Sequence, residues 1–260
     1  EYPAFWKELI DTQNVDLVIP GIEQDVFFFD EHRQDELPVV LNSPELVALG
    51  RDKWALHERL VAAKIAAIPS RIDGSWDDCV AELGPAPLLM KPRRGSGGQG
   101  QVKLDSDTDY DYWQQKIGDN FMVQRLVGDD DEEYTVSVFG FGDGRATRPA
   151  IMRRTLGPGG ATWYAETVVA HDAIEAAVAA LNGELQPLGP TNYQFRLQDG
   201  AAYLLEINPR ISASTSLRAR LGVNEAWMCV EHYALQREVE STSLSAGRGW
   251  RYIDDEVEVQ

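Results

Sequence analysis

The amino-acid sequence predicts an α/β protein made of two α+β lobes, preceded by a partial β/α domain. Three observations support this fold class. Apolar strands alternate with helices near the N-terminus, strands flank a central glycine-rich loop, and a late hairpin carries oxygen-bearing side chains on one face. We divide the chain into a partial β/α domain (1–50), an N-terminal lobe with the glycine-rich loop (51–127) and a C-terminal lobe with the hairpin (128–260).

The first domain is predicted from short segments with clear periodicity. Ser43 followed by Pro44 is typical of a helix N-cap and its first helical residue. A sheet beginning at strand 15–20 would lack its first strand and helix, so we expect upstream residues to be missing. The elements predicted up to residue 64 are a helix over 5–12, the strand 15–20, a helix ending near 33, a short strand over 37–43, a helix after Pro44 and a helix over 52–64.

The two lobes are predicted to be richer in strands. The predicted helices are 76–83, 110–116, 173–181 and 223–235. The predicted strands are 87–92, 100–104, 121–127, 133–142, 147–154 and 163–168, followed by a hairpin over 192–207.

Composition limits the classes of partner. The formal net charge of −18 argues against nucleic acid, so any phosphate site must be locally basic. No apolar run approaches the roughly 20 residues that span a bilayer, and the first ten residues lack signal-peptide features, so we expect no membrane partner and a cytoplasmic location. Cys79 and Cys229 form no CxxC pair and are expected to be inert buried thiols.

The segment from Gly95 to Val102 matches G-x-G-x-x-G, a pattern that is weak by itself. A dinucleotide fold requires a helix directly after the loop, a Walker loop requires Lys and Ser or Thr, and a protein kinase requires H-R-D and D-F-G; none of these is present. A strand-loop-strand phosphate cover remains, with Lys91 as point charge and backbone N–H groups around Gly97 and Gly98 approaching the phosphates. A surface hairpin with a basic tip is the alternative.

The hairpin turns at Asp199-Gly200. A three-residue connection would pair Gln198 with Ala202 and so place Gln194 opposite Glu206. On this register one face carries Asn192, Gln194, Glu206 and Asn208, and the apolar face carries Tyr193, Phe195, Leu205 and Ile207. The oxygen-bearing face predicts a Mg²⁺ site that phosphates complete, with a solvated polar face as the alternative.

The motifs together resemble those of the ATP-grasp superfamily, most closely the branch that contains the carbamoyl phosphate synthetase large chain. The resemblance covers about residues 15–255, and E-x-N-P-R at 206–210 with N-x-Q-F at 192–195 is its most specific part. It also rests on LMKPRRGSGGQG and FMVQRLVGDDDEEYTV. The resemblance implies an ATP-grasp fold that uses ATP and Mg²⁺, for which Mn²⁺ can substitute.

Residue roles follow from the resemblance by position. It implies phosphate contacts from Lys53, Lys91 and Arg210, adenine binding at a hinge containing Gln124, Leu126 and Val127, ribose binding by Glu133 or its neighbour Glu132, and magnesium ligation by Gln194, Glu206 and Asn208. Many ATP-grasp ligases carry a glutamate where this chain has Gln194, so the metal site has fewer formal charges.

The resemblance implies that a substrate carboxylate attacks the γ-phosphoryl group, giving ADP and an acyl phosphate that an amine captures. Lys91 and Arg210 would stabilise the charge, and Arg153 and Arg154 precede a glycine-rich loop suited to holding the carboxylate. The expected partners are therefore a small-molecule carboxylate and an amine, and the chain is compatible with a homodimer. Two alternatives stay open: a carbamoyl phosphate synthetase-like enzyme, although 260 residues cannot hold its duplicated halves, and a catalytically silent ATP-binding module.

Overall fold

The helices begin at capping residues that the sequence supplies. The computed structural model describes residues 2–95 and 100–252. The Ser43 hydroxyl accepts a hydrogen bond from the Leu46 N–H (3.2 Å), and Ser75 forms a capping box. The described helices are α1 (Tyr2–Gln13), α2 (Glu23–Glu31), α3 (Pro44–Arg51), α4 (Lys53–Ala62), α5 (Trp76–Leu83), α6 (Asp107–Ile117), α7 (Asp172–Leu185), α8 (Thr215–Arg220) and α9 (Glu225–Cys229).

A four-stranded antiparallel sheet forms the first lobe. Its order is β1 (Ser70–Arg71), β4 (Phe121–Arg125), β2 (Leu88–Pro92) and β3 (Val102–Leu104). Helices α5 and α6 pack on it through a core that includes Cys79, Leu83 and Tyr110. The sheet therefore has one covered face, as an antiparallel sheet allows.

A six-stranded antiparallel sheet forms the second lobe. Its order is β10 (Arg248–Trp250), β7 (Thr162–Thr167), β6 (Ala150–Leu156), β5 (Glu133–Phe141), β8 (Leu188–Gln198) and β9 (Ala201–Asn208). Helices α4 and α7 cover one face through Leu56, Leu60, Ile174 and Val178. Side chains of β8 and β9 that point the other way face the first lobe across a cleft.

Three predicted elements differ from the structure. The strands predicted over 15–20 and 37–43 are reduced to one parallel bridge between Val18 and Val39, held by backbone bonds of 2.7 and 2.9 Å, so both predictions were too long. The helix 223–235 changes at Val230 to a π-helical turn, in which the Leu235 N–H bonds the Val230 carbonyl at 2.9 Å. The wider turn lets the consecutive His232 and Tyr233 both pack against Phe139.

Two further expectations concern the chain as a whole. Cys79 and Cys229 are both free and buried, as predicted. Within the described ranges, no helix has the length and apolarity to cross a membrane.

Candidate active site

A cleft of about 1100 Å³ lies between the two sheets. The residues 21–24, at the start of α2, line it, as does the glycine-rich turn 157–161 between β6 and β7. The predicted site residues that line this cleft are Lys53, Lys91, Gln124, Leu126, Val127, Glu133, Arg154, Gln194, Glu206, Asn208 and Arg210. The remaining two, Gly97 and Gly98, lie outside the described residues.

The β8–β9 hairpin has the predicted pairing of Gln194 with Glu206, but its turn differs from the prediction. Its turn has two residues, because Gln198 pairs with Ala201 rather than with Ala202, so the predicted three-residue connection was wrong. Asp199 (φ 51°) and Gly200 (φ 76°) adopt the left-handed backbone that such a turn requires. A β-bulge next to Gln194 then restores Gln194 opposite Glu206.

The bulge also corrects the apolar face of the hairpin. Leu204 takes the place opposite Phe195 and is buried in the core, whereas Leu205 lines the cleft. The prediction that Leu205 faces the core was therefore wrong, since the extra residue of the bulge reverses the alternation at that point. Tyr193 and Ile207 lie in the core as predicted.

Arg154 connects the predicted ribose and magnesium residues. Its guanidinium donates to Glu133 Oε1 from Nη2 (2.7 Å) and Nε (3.1 Å), and Nη2 also donates to Gln194 Oε1 (2.7 Å). Arg196 Nη2 donates to the other oxygen of Glu133 at 3.2 Å. Both oxygens of the Glu133 carboxylate are thus held by arginine, and a cation bound by Gln194 would have to share its amide oxygen with Arg154.

Of the two adjacent glutamates, Glu133 is the one that lines the cleft. Glu132 accepts a hydrogen bond from the Tyr134 hydroxyl (2.6 Å) and forms an ion pair with Arg153 (3.7 Å). Arg153 also bonds Glu166. The Arg153 guanidinium therefore contacts Glu132 and Glu166, which do not line the cleft. Of the two arginines, only Arg154 lines it.

Lys91 is a buried cation, with 4% of its surface exposed. Burial, together with a smaller contribution from the neighbouring Lys53 and against the opposing charge of Glu206, lowers the pKa of Lys91 to about 7. The Lys53 ammonium donates to the carbonyl of Gly95, at the start of the glycine loop. Two lysines that face one buried space indicate a site for an anion, because an anion would relieve both the desolvation and the repulsion.

Glu206, Asn208 and Arg210 form a row along the end of β9. Asn208 Nδ2 donates to Glu206 Oε1 (3.3 Å), and Arg210 Nη2 donates to Asn208 Oδ1 (3.0 Å) and to Glu23 Oε1 (3.3 Å). Burial lowers the pKa of Arg210, while Glu23 and Glu206 oppose this. The row thus places a carboxylate, an amide and a guanidinium side by side.

The donor set is compatible with Mg²⁺. In the described part of the chain there is no group of three or more His, Cys, Asp or Glu residues able to hold a metal. Glu206 supplies one carboxylate, and Asn208 and Gln194 supply amide oxygens. Such a set fits a hard cation that takes its other ligands from phosphates and water.

Two apolar residues between β4 and β5 line the cleft. Leu126 and Val127 follow the last residue of β4, and Gln124 is buried with its amide donating to the Ser70 hydroxyl at 2.8 Å. Ile68, Leu89 and Leu205 line the same cleft. This apolar part of the cleft suits a flat heterocycle.

Sequence reasoning missed some of the cleft residues. Glu23, Gln24 and Arg196 line it without having been assigned a role, and Leu205 lines it although the sequence placed it on the apolar face. The segment GIEQD after the apolar run 15–20 was a signal for Glu23, because the residues that follow a strand at a sheet edge commonly reach a site. No local pattern identified Leu205.

The region from the end of α6 to β10 decides the family. A family model described as "ATP-grasp in the biosynthetic pathway with Ter operon" matches residues 118–253. This match covers more than half of the 260 residues. The chain belongs to this ATP-grasp family. The resemblance to the ATP-grasp superfamily is therefore confirmed, as is the predicted fold class.

Solved structures of ATP-grasp proteins share this fold. The biotin carboxylase domain of Hydrogenobacter thermophilus 2-oxoglutarate carboxylase, solved with MgADP and bicarbonate, has a TM-score of 0.72 and 15% identity, with 90% of this chain and 57% of that chain covered. An L-amino acid ligase from Bacillus licheniformis has a TM-score of 0.67 and 17% identity, with 87% of this chain and 58% of that chain covered. The N5-carboxyaminoimidazole synthetase of Staphylococcus aureus in complex with ADP has a TM-score of 0.72 and 13% identity, with 90% and 63% covered.

The chain therefore spans less than two thirds of each of these solved chains. At such low identity the likeness establishes the fold. No curated protein sequence matches this chain.

Proposed function

We propose that the protein binds Mg-ATP and activates a small-molecule carboxylate as an acyl phosphate, which an amine then captures, with ADP and phosphate as products. The observation that supports this proposal is that basic side chains and oxygen-bearing side chains from different elements line the same cleft. Lys91 approaches from the four-stranded sheet and Lys53 from the N-terminus of α4, while Glu206, Asn208 and Arg210 approach from the end of β9. Lysine and arginine side chains around one space with the Glu206 carboxylate and the Asn208 amide suit a triphosphate with its metal.

The nucleotide would lie along the cleft with its base at the hinge. Leu126 and Val127 would contact the adenine from one side and Leu205 from the other. The Glu133 carboxylate would accept hydrogen bonds from the ribose hydroxyls, and Arg154 and Arg196 hold it in place for this. The triphosphate would then extend toward the two lysines.

Glu206 and Asn208 would hold Mg²⁺, with Gln194 as a third oxygen donor. Bound there, Mg²⁺ would neutralise charge on the transferring phosphoryl group. Glu206 is the acidic ligand in this set, so the ATP phosphates would supply most of the negative charge around the cation. Mn²⁺ prefers the same oxygen ligands and would substitute for Mg²⁺.

The reaction requires positioning and charge stabilisation more than acid-base chemistry. A carboxylate oxygen of the substrate would attack the γ-phosphorus, and the bond to the β–γ bridging oxygen would break with release of ADP. The amine nitrogen would then attack the acyl carbon, expel phosphate and lose a proton. Arg210 would contact both the γ-phosphoryl group and the attacking carboxylate. The backbone of the turn 157–161 would also hold the carboxylate, and Arg154 would support the nucleotide.

The solved relatives support this reaction class by their own ligands and names. Two were solved with ADP, one of them as MgADP with bicarbonate, and a third is an L-amino acid ligase. For this chain, we propose an arrangement in which 51–127 and 128–260 contribute residues to opposite sides of the cleft and 1–50 contributes Glu23.

The test is an ATPase assay on the purified chain across a panel of amino acids, dicarboxylates and bicarbonate, with and without amines. We expect acid-stimulated release of ADP, and formation of a hydroxamate when hydroxylamine replaces the amine. Glu206→Ala serves as the matched inactive control. Release of AMP, or tight ATP binding without ADP or hydroxamate for any acid, would replace this proposal with the silent ATP-binding module.

A further inference from the structure

A fully buried ion pair lies next to the cleft without lining it. Arg218 and Glu225 have exposed fractions of 0% and 1%. Arg218 Nε and Nη2 each donate to a different oxygen of Glu225 at 2.9 Å. Burial opposes ionisation, yet the charge and hydrogen bonds of Arg218 hold the pKa of Glu225 below its usual range, so both groups are charged.

This pair holds both ends of the segment 212–215, which follows Arg210. Arg218 Nη2 donates to Ser212 Oγ at 2.6 Å, and the Thr215 hydroxyl donates to Glu225 Oε2 at 2.6 Å. The Ser137 hydroxyl of β5 donates to the other oxygen of Glu225. The segment is thereby anchored to the six-stranded sheet through one carboxylate.

The bonds to Ser212 determine what its hydroxyl can do. Ser212 Oγ accepts from Arg218 and from the N–H of Ser214 (3.2 Å), and a serine oxygen has two acceptor positions. Its own O–H is therefore left to donate, and Ser212 lines the cleft. In addition, Arg210 Nη1 donates to the carbonyl of Ile211 (2.9 Å), so the path of this segment also sets the Arg210 guanidinium.

Stability alone is a weak reason for such a pair. Replacing a buried ion pair with apolar side chains of similar volume is often neutral or stabilising, whereas removal of one partner is strongly destabilising. Stability and positioning can therefore be separated by experiment.

We infer that Arg218 and Glu225 are positioning residues, which aim the Ser212 hydroxyl and the Arg210 guanidinium at the γ-phosphoryl group of ATP. This inference rests on the proposed function, which puts the triphosphate between the two lysines and Arg210. Because Ser212 Oγ accepts hydrogen bonds from Arg218 and from the Ser214 N–H, the Ser212 hydroxyl is left as a donor that faces the cleft beside Arg210.

The test measures how much the γ-phosphate adds to affinity. Dissociation constants for MgADP and for a non-hydrolysable Mg-ATP analogue are measured by calorimetry for the wild type and for Arg218→Met/Glu225→Met. We expect the double variant to melt within a few degrees of the wild type and to bind MgADP equally well. It should bind the analogue about ten-fold more weakly, which is the usual loss for one hydrogen bond to a charged group.

Three further variants separate positioning from folding. Ser212→Ala should reproduce the ten-fold loss with the ion pair intact. Arg218→Lys keeps the charge but lacks the planar fork needed to hold Glu225 and Ser212 together, and should also lose the γ-phosphate contribution. Leu181→Ala, in the core beneath β8 and away from the cleft, should lower the melting temperature without changing the affinity ratio.

A wild-type affinity ratio in the double variant or in Ser212→Ala would overturn the inference. If the double variant does not fold, Ser212→Ala and Arg218→Lys report the same ratio. The ratio requires no carboxylate substrate, so a changed ratio in a protein that never turns over ATP would support this inference while refuting the proposed ligase.

Discussion

The lowered pKa of Lys91 predicts that nucleotide binding takes up a proton. The pKa of Lys91 is about 7 against an ordinary 10.5, because the group is buried and lies near Lys53. That difference corresponds to about 5 kcal/mol of disfavoured charge. A triphosphate beside the ammonium offsets this, so binding should return the pKa toward its ordinary value.

The sign and size of the pH dependence follow from linkage. Lys91 is charged below about pH 7 and loses its charge as the pH rises through that value. About half of the ligand-free protein carries the proton at pH 7 and about one part in a hundred at pH 9, so affinity for MgADP should fall roughly 50-fold between them. Between pH 6 and 7 the change should be less than about two-fold.

Calorimetry in two buffers of different ionisation enthalpy gives the proton uptake directly. We expect about half a proton at pH 7 and close to one at pH 8.5. Lys91→Met should abolish the uptake and weaken binding at pH 6.5. In Lys53→Met the pH midpoint should move upward, since the repulsion from Lys53 is gone. Equal affinity at pH 7 and pH 9 with no proton uptake would refute the placement of Lys91 against the phosphates.

Three further predictions address the metal, the Arg210 contact and the fold. Glu206→Ala should lower acid-stimulated ADP release by about 100-fold or more, because the acidic ligand to Mg²⁺ is lost; a melting temperature lower by many degrees would instead indicate a structural role. Glu23→Gln removes the charge that Arg210 contacts at 3.3 Å, so we expect several-fold changes in the KM values for the carboxylate and for ATP, and steady-state kinetics with unchanged values would contradict the contact's importance. Asp52→Ala removes the cap of α4 and the partner of Arg93 (2.8 Å), and should reduce the free energy of unfolding by about 1–3 kcal/mol in urea titrations. Although burial opposes it, bonds from Arg93 and α4 hold the pKa of Asp52 below its ordinary 3.8, so this stabilisation should be present above that pH and disappear as the pH falls below it.

Local patterns in the sequence were sufficient where local interactions decide the structure. Helix α5 begins and ends at the predicted Trp76 and Leu83, since Ser75 caps it and a glycine ends it. Ser43 likewise begins α3. The spacing of E-x-N-P-R and N-x-Q-F identified the row of cleft residues on β8 and β9, because alternation along a strand determines which side chains share a face.

Other features depend on the tertiary structure, because the periodicity of apolar and polar residues along the sequence does not determine them. The two-residue turn by itself would place Leu205 opposite Gln194, and the bulge restores Glu206 to that position. Alternation along the two strands is compatible with a three-residue turn and with a two-residue turn plus a bulge, so the sequence pattern does not distinguish them. The Glu23–Arg210 contact joins residues 187 positions apart, and the Arg154 bonds to Glu133 and Gln194 depend on the pairing of three strands. Arg218 reads as an ordinary charged residue of a short helix, yet it is buried because Glu225, Ser212 and the sheet enclose it. A charged side chain is buried only when protein partners replace the hydrogen bonds that it made with water. Here those partners are brought together by the tertiary fold.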